Sequence, residues 1–117
     1  MSNYALYIKE RENKDIIEDN NGFATYILID NKKGLQVQDV FVKKEVRRTG
    51  VARKYFSTLE CIAKEQKCDY IITSVDTRTN NWEISKLSLE TDGYKEIGHD
   101  PLDTEFIFFL KRINYGR

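Results

Sequence analysis

Proline, net charge and long apolar runs are all scarce in this sequence of 117 residues. Pro101 is the only proline, so no proline-rich linker divides the chain. The 19 Lys and Arg residues balance the 19 Asp and Glu residues, whereas a general nucleic-acid-binding protein usually carries a basic excess. No apolar run approaches the roughly 18–20 residues that span a membrane. These absences argue against nucleic-acid and membrane partners and favour a soluble globular protein.

Cysteine is also scarce, since Cys61 and Cys68 are the only two and lie seven residues apart around the end of one predicted helix. Their spacing fits neither a paired-cysteine zinc site nor a dense disulfide framework. The first residues, Met1 to Ala5, lack the basic region and apolar core of a secretion signal. We therefore expect a cytoplasmic protein with two reduced thiols and no metal site.

The remaining composition is that of one folded domain. Hydrophobic residues make up 40% of the chain, charged residues 32% and aromatic residues 12%, as in ordinary globular proteins. A chain of this length buries roughly two-thirds of its unfolded surface in a single core. Because no internal repeat or linker interrupts the pattern, residues 1–117 are predicted to form a single domain.

Apolar periodicity predicts both strands and helices. Residues 4–12 suit a short amphipathic helix, with a strand as the alternative. Further strands are predicted over residues 14–18, 23–29, 35–42, 69–75, 94–97 and 105–110, and further helices over 49–66 and 82–89. Turn residues join the first three strands into an antiparallel meander. The helix between the third and fourth strands implies that these two strands pair in parallel, with a right-handed connection.

The stretch over residues 38–53 joins a strand to a helix through a basic turn, Arg47-Arg48-Thr49-Gly50. Arg47, Arg48 and Arg53 crowd the first turn of the helix, where the macrodipole already contributes partial positive charge. Cations in this position are explained if an anion binds there to free backbone N–H groups and to the arginines. A solvated basic turn is the alternative, but the strand–turn–helix context favours a phosphate site.

The same turn carries a family resemblance. Residues 47–52, Arg-Arg-Thr-Gly-Val-Ala, satisfy the pattern Gln/Arg-x-x-Gly-x-Gly/Ala, although Lys44 replaces a frequent proline ahead of it. Downstream, Asn81, Ser85 and the pair Gly93-Tyr94 fit the late part of the same pattern. Over residues 14–113 the chain therefore resembles the GCN5-related N-acetyltransferase (GNAT) family, in a compact, phage-like form. The resemblance implies an α+β fold, with a mostly antiparallel twisted sheet, a central parallel strand pair and flanking helices.

The resemblance also implies that the cofactor is acetyl-CoA. Backbone N–H groups in the turn would hold the pyrophosphate, and Gly50 would let the backbone approach it. The residues that would supply these N–H groups are Arg48, Thr49, Gly50, Val51, Ala52 and Arg53. The side chains of Arg47, Arg48 and Arg53 would add charge-assisted hydrogen bonds.

The pantetheine arm of the cofactor would lie between the two parallel strands, where they splay apart. The backbone of Phe41 and Val42 would pair with the arm as though it were another strand. On the neighbouring strand, the arm would pass Ser74 and Val75. Asn81 would either contact the arm or simply cap the helix that it precedes.

The catalytic groups are less well matched than the cofactor site. Family members often carry a glutamate base on this strand, and Gln38 stands at that position in this chain. Asp39 is the base candidate, acting through a water, with a structural role facing the hairpin as the alternative. The usual acid is a tyrosine, which Leu89 replaces. The remaining candidates are expected to be core or rim aromatics (Tyr7, Tyr26 and Tyr94) and a surface histidine (His99).

Two functions follow from the resemblance. The first is acetyl transfer from acetyl-CoA to a primary amine by direct attack, on a small molecule, a protein lysine or an N-terminus. The acceptor site would be open, or a second subunit would complete it in a homodimer. The second is a catalytically inactive module that binds CoA or another protein, because the usual Glu and Tyr are absent.

Overall fold

Helix α1 (Asn3–Glu12) begins the part of the chain, residues 2–113, that the computed structural model describes. The hydroxyl of Ser2 accepts a hydrogen bond from the N–H of Ala5 at 3.0 Å, which satisfies one of the free N–H groups at the helix start. Asn13 ends the helix in the left-handed conformation, with φ of 55°. Ala5 and Ile8 are buried on the inner face of the helix. Of the two structures predicted for this segment, the helix is the one that forms.

One sheet of six strands forms the centre of the molecule, in the order β1-β2-β3-β4-β6-β5. Its strands are β1 (Asp15–Asp19), β2 (Gly22–Ile29), β3 (Gly34–Val42), β4 (Tyr70–Asp76), β5 (Lys95–His99) and β6 (Phe106–Arg112). A 3₁₀ turn (Lys44–Val46), α2 (Val51–Glu65) and α3 (Trp82–Thr91) complete the fold. Strands β3 and β4 pair in parallel and all other neighbours are antiparallel, which confirms the predicted α+β class. Met1 and residues 114–117 of the predicted domain lie outside the described residues.

Helix α2 packs one apolar face against the central strands. Its buried residues, Val51, Tyr55, Leu59 and Ala63, recur every four positions, so they lie on one side of the helix. Leu59 is fully buried, and burying such a side chain contributes about 1.5–3 kcal/mol. The helix is thereby held firmly, and its first turn has a fixed position above the ends of the strands. Within residues 2–113, no helix is both long and apolar enough to cross a membrane.

Strand β3 shifts its register against β2 and parts from β4 partway along its length. Toward β2, the register passes from Tyr26 opposite Val37 to Thr25 opposite Asp39, so Gln38 is the extra residue of a β-bulge. Toward β4, the parallel register begins at Gly34 and ends at Gln36. Beyond this point residues 37–42 of β3 and 73–76 of β4 no longer pair, and the two strands enclose an open wedge.

Candidate functional site

The wedge between β3 and β4 continues into a cavity of about 1010 Å³ under the first turn of α2 and one face of α3. This volume is at the upper end of the range for small-molecule sites, about 300–1,000 Å³. Several of the predicted site residues line it. The polar or charged lining side chains are Gln38, Asp39, Arg47, Arg48, Thr49, Arg53, Thr73, Ser74, Asp76, Thr79, Ser85, Ser88, Asp92 and Tyr94.

The β3 side of the cavity offers free backbone groups. The N–H of Lys43 donates to the carbonyl of Asn21 at 2.8 Å, so these two residues form a hydrogen-bonded pair across β2 and β3. Because such pairs alternate along an antiparallel ladder, Phe41 also turns its backbone groups toward β2. Val40 and Val42 turn theirs toward the cavity, where β4 no longer pairs. By this geometry Val40 and Val42, and not Phe41, present backbone groups to the cavity.

The turn before α2 concentrates N–H groups at the other end of the cavity. The first hydrogen bond within the helix runs from the N–H of Lys54 to the carbonyl of Gly50, so the N–H groups of residues 51–53 have no acceptor inside the helix. Arg48 and Gly50 both have positive φ, 63° and 92°. Successive N–H groups in such a turn converge and form an anion-binding nest. The arrangement suits the phosphate site predicted from the sequence.

Gly50 is the residue that leaves the nest open. Its φ of 92° lies in the region that L side chains rarely adopt, and a Cβ built on it would meet no atom within 4 Å. The space beside its Cα is therefore free for a ligand to approach the backbone closely. Thr49 stabilises the turn from the other side, because its hydroxyl donates a hydrogen bond to the carbonyl of Val46.

The three arginines of the predicted phosphate site have different partners. Arg47 donates from Nε to the carbonyl of Val42 at 2.8 Å, and Arg53 donates two hydrogen bonds to the carboxylate of Asp92. The Arg53 guanidinium is therefore paired with a carboxylate, and its phosphate contact stays a prediction. Arg48 is exposed, and its guanidinium makes no hydrogen bond or ion pair within residues 2–113. Of the three, Arg48 is the side chain that has no partner among the described residues.

Asp39 lies beside the bulge with one side of its carboxylate occupied. The hydroxyl of Thr25, which is 1% exposed, donates to Oδ2 at 2.7 Å. The ammonium group of Lys14 donates to the same oxygen at 3.2 Å. Both contacts face the hairpin, as the structural alternative for Asp39 predicts. Oδ1 accepts no hydrogen bond from the described residues and can hold a water, so the geometry also permits the predicted base.

Tyr94 lines the cavity, and its hydroxyl group is used in a hydrogen bond to another residue. The hydroxyl of Tyr94 donates to Oε2 of Glu60 at 3.0 Å, while Lys111 donates to Oε1 at 2.8 Å. Burial, followed by the charge of Glu60, raises the pKa of Tyr94 above its usual range. Tyr94 is 2% exposed and therefore belongs to the core. Leu89 lines the cavity where the family's usual acid would lie.

Asn81 is absent from the cavity lining, and several residues that were not predicted are present in it. Asn81 precedes α3 with φ of 63° and makes no side-chain capping bond to the described residues. The polar lining residues of α3 and its C-terminal cap are Ser85, Ser88 and Asp92. Their spacing of three and four residues places them on one helix face, and this is the signal that could have identified them. His99 is exposed, with Nδ1 2.7 Å from the carbonyl of Thr104.

Known proteins match this chain by family and by fold. A model described as the acetyltransferase (GNAT) family matches residues 4–84, and no curated protein sequence matches. An acetyltransferase from Bacillus cereus ATCC 14579 is 22% identical with a TM-score of 0.63, over 86% of this chain and 71% of that one. An aminoglycoside 6'-N-acetyltransferase complexed with coenzyme A is 15% identical with a TM-score of 0.65, over 87% and 73%.

A third solved structure, from Bacillus anthracis str. Ames in complex with acetyl coenzyme A, is 22% identical with a TM-score of 0.63, over 80% of this chain and 56% of that one. The chain thus spans 56% to 73% of the length of these three proteins. At such identities the structures establish the fold, which is the predicted one, and the model that matches residues 4–84 establishes the family. The chain belongs to the acetyltransferase (GNAT) family.

Proposed function

We propose that this protein is an N-acetyltransferase that transfers the acetyl group of acetyl-CoA to a primary amine. The observation that carries the proposal is a single cavity with a free strand edge along one side and an N–H nest at one end. A peptide-like arm followed by a pyrophosphate needs this combination, because amides pair with a strand edge and phosphates bind an N–H nest.

The cofactor would extend from the nest into the wedge. Its pyrophosphate would accept hydrogen bonds from backbone N–H groups of residues 48–53 and from the guanidinium of Arg48. Its pantetheine amides would pair with the free backbone groups of Val40 and with the N–H of Val42, whose carbonyl already accepts from Arg47. Because the wedge closes at Gln36, where β3 and β4 begin to pair, the arm would carry the thioester toward the bulge at Gln38.

Acetyl transfer would proceed by direct attack. The amine nitrogen attacks the carbonyl carbon of the thioester, the C–S bond breaks, and the products are an amide and the CoA thiol. The amine must lose a proton and the leaving thiolate must gain one. We assign the first role to Asp39, through a water on its free Oδ1. Holding the thioester and the amine side by side supplies much of the rate without a dedicated acid.

The acceptor would be an amine on a small molecule or a protein, as predicted from the open site. One structure of similar fold is named as an aminoglycoside 6'-N-acetyltransferase, and that name supports a small amine-bearing acceptor. A homodimer that completes the acceptor site, and a cytoplasmic location, stay predictions.

A second candidate function is a module that binds CoA without turnover. The observation that favours it is the absence of a free acid in the described part of the cavity, since Leu89 is apolar and the Tyr94 hydroxyl is donated to Glu60. This module would share the cofactor site of the enzyme, so binding alone does not separate the two functions.

Turnover separates them. The purified chain is incubated with acetyl-CoA and a panel of amines and lysine peptides, and release of the CoA thiol is followed. We expect thiol release above the rate without protein for at least one amine. Cofactor binding without such release for any of them would favour the inactive module, and no cofactor binding would reject both.

Replacement of Asp39 tests its assigned role. If Asp39 is the base, Asp39→Asn lowers kcat/KM by about 10²-fold or more at neutral pH, the usual size of general-base effects. Raising the pH should recover part of the loss, because more of the amine is then deprotonated in solution. Asp15→Asn is the control, since Asp15 is an exposed carboxylate that also accepts a lysine contact. Equal rates for Asp39→Asn and the wild type would remove Asp39 from the mechanism.

A further inference from the structure

We infer that the ion pair between Arg53 and Asp92 holds α3 in place as a wall of the cofactor cavity, so that Arg53 is a positioning residue. This inference rests on the proposed function. Arg53 lies in the first turn of α2, and Asp92 is the residue that ends α3. Nε donates to Oδ2 at 3.0 Å and a terminal nitrogen donates to Oδ1 at 2.5 Å. This two-bond geometry fixes both the distance and the orientation of the two groups.

Helix α3 is held against the core by few side chains. Among the described residues, Leu89 is its one buried residue, and Trp82 packs against the core while partly buried. One further ion pair, Lys86 to Glu96, is long at 3.6 Å and exposed. Ser85 and Ser88 nevertheless line the cavity from this helix. Their position relative to a bound cofactor therefore depends strongly on the tie at the end of the helix.

The positions of the two residues also argue against a direct phosphate contact by Arg53. Its planar guanidinium binds a carboxylate or a phosphate through the same paired N–H groups, and Asp92 already occupies such a pair. Asp92 itself lines the cavity, so the pair stands at the cavity wall. The Arg48 side chain has no such competitor. We therefore assign the side-chain phosphate contact to Arg48 and the positioning role to Arg53.

The two roles predict opposite effects when Asp92 is replaced. If Arg53 is a phosphate ligand that Asp92 restrains, Asp92→Asn frees the guanidinium and tightens CoA binding. If the pair positions α3, Asp92→Asn loosens the helix and weakens CoA binding by about tenfold. Arg53→Gln weakens binding in either case, so Asp92 is the informative position.

The test uses the full chain and two readouts. The first is the Kd for coenzyme A, by calorimetry, of the wild type, both single variants and the double variant. We expect the double variant to bind no more weakly than either single variant, because removing one partner already removes the pair. Asp92→Asn binding that is unchanged or tighter than in the wild type would overturn the inference, as would additive losses in the double variant.

The second readout is amide hydrogen exchange of the ligand-free protein, which does not depend on the cofactor. We expect Asp92→Asn to speed exchange in α3 (Trp82–Thr91) at least threefold while exchange in α2 stays unchanged. Asp15→Asn, which breaks an exposed pair on edge strand β1, should change neither helix. Unchanged exchange in α3 would overturn the positioning role. A wild type that shows no CoA binding would reject the proposed function, while exchange would still report whether the pair holds α3.

Discussion

Replacing Gly50 by alanine perturbs backbone strain and cofactor access at one position. Gly50 has φ of 92°, in the left-handed region. An L side chain there lowers the free energy of unfolding by about 1–2 kcal/mol. The unfolding entropy is about 2.1 cal/mol/K per residue, or about 0.25 kcal/mol/K for 117 residues. Gly50→Ala should therefore lower Tm by about 4–8 °C. No clash adds to this loss, because the space around a Cβ at this position is empty.

The same empty space is where we expect the pyrophosphate to approach the backbone. A methyl group there should hold the phosphates away from the N–H groups and weaken acetyl-CoA binding by about tenfold, which corresponds to about 1.4 kcal/mol. Gly93→Ala is a matched control, since Gly93 has φ of 94°. Its Cβ would contact the Lys111 side chain at an ordinary 3.5 Å. This control should lower Tm to a similar extent and leave the affinity unchanged.

The assays are differential scanning calorimetry for Tm and isothermal titration with acetyl-CoA for affinity. If Gly50→Ala loses stability but binds acetyl-CoA as tightly as Gly93→Ala does, then the free space beside Gly50 is not the phosphate site. If neither variant loses stability, the strain argument is wrong for both turns.

Three further predictions concern charge, the core and pH. Arg48→Glu should weaken acetyl-CoA binding at least as much as Gly50→Ala does. Lys95 is an exposed cation on β5, so Lys95→Glu is the control and should bind acetyl-CoA normally in the same titration. Tyr94→Phe should lower the unfolding free energy measured in urea by about 1.5–3 kcal/mol, the usual value of a hydrogen bond to a charged group, and keep kcat. A large loss of kcat would make Tyr94 the missing acid. The Tyr55 hydroxyl lowers the pKa of Asp19 below 3.8. This contribution to the unfolding free energy is present above pH 3.8 and is lost as the pH falls through the lowered pKa. The urea midpoint of the wild type should therefore fall more steeply with acid than that of Tyr55→Phe. The same pH dependence below pH 3.8 in both proteins would refute this.

Local pattern was sufficient to predict the elements of this fold. The buried residues of α2 recur every four positions from Val51 to Ala63, and turn residues separate the early strands. The turn at residues 47–50 was predictable because its glycine and its basic residues are contiguous in the chain. The segment at residues 4–12 was ambiguous, since its apolar residues suit both periods. The cap from Ser2 favours the helix.

What local pattern could not predict are the partners that long-range packing supplies. Arg53 pairs with Asp92, which is 39 residues away in the sequence. Tyr94 forms a hydrogen bond with Glu60, which is 34 residues away. The direction of the Phe41 backbone depends on the register with β2 and on a bulge at Gln38, and neither is visible in a single strand. These contacts decide which of the predicted residues are free to bind a ligand.

The most direct test of this account is titration of the wild-type chain with acetyl-CoA. We predict a Kd in the micromolar range, about −8 kcal/mol. At one hundred times Kd the ligand should add about 2.7 kcal/mol of stability, and Tm should rise by about 11 °C. The absence of both binding heat and a Tm shift at millimolar acetyl-CoA would contradict the central claim that this cavity is a coenzyme A site.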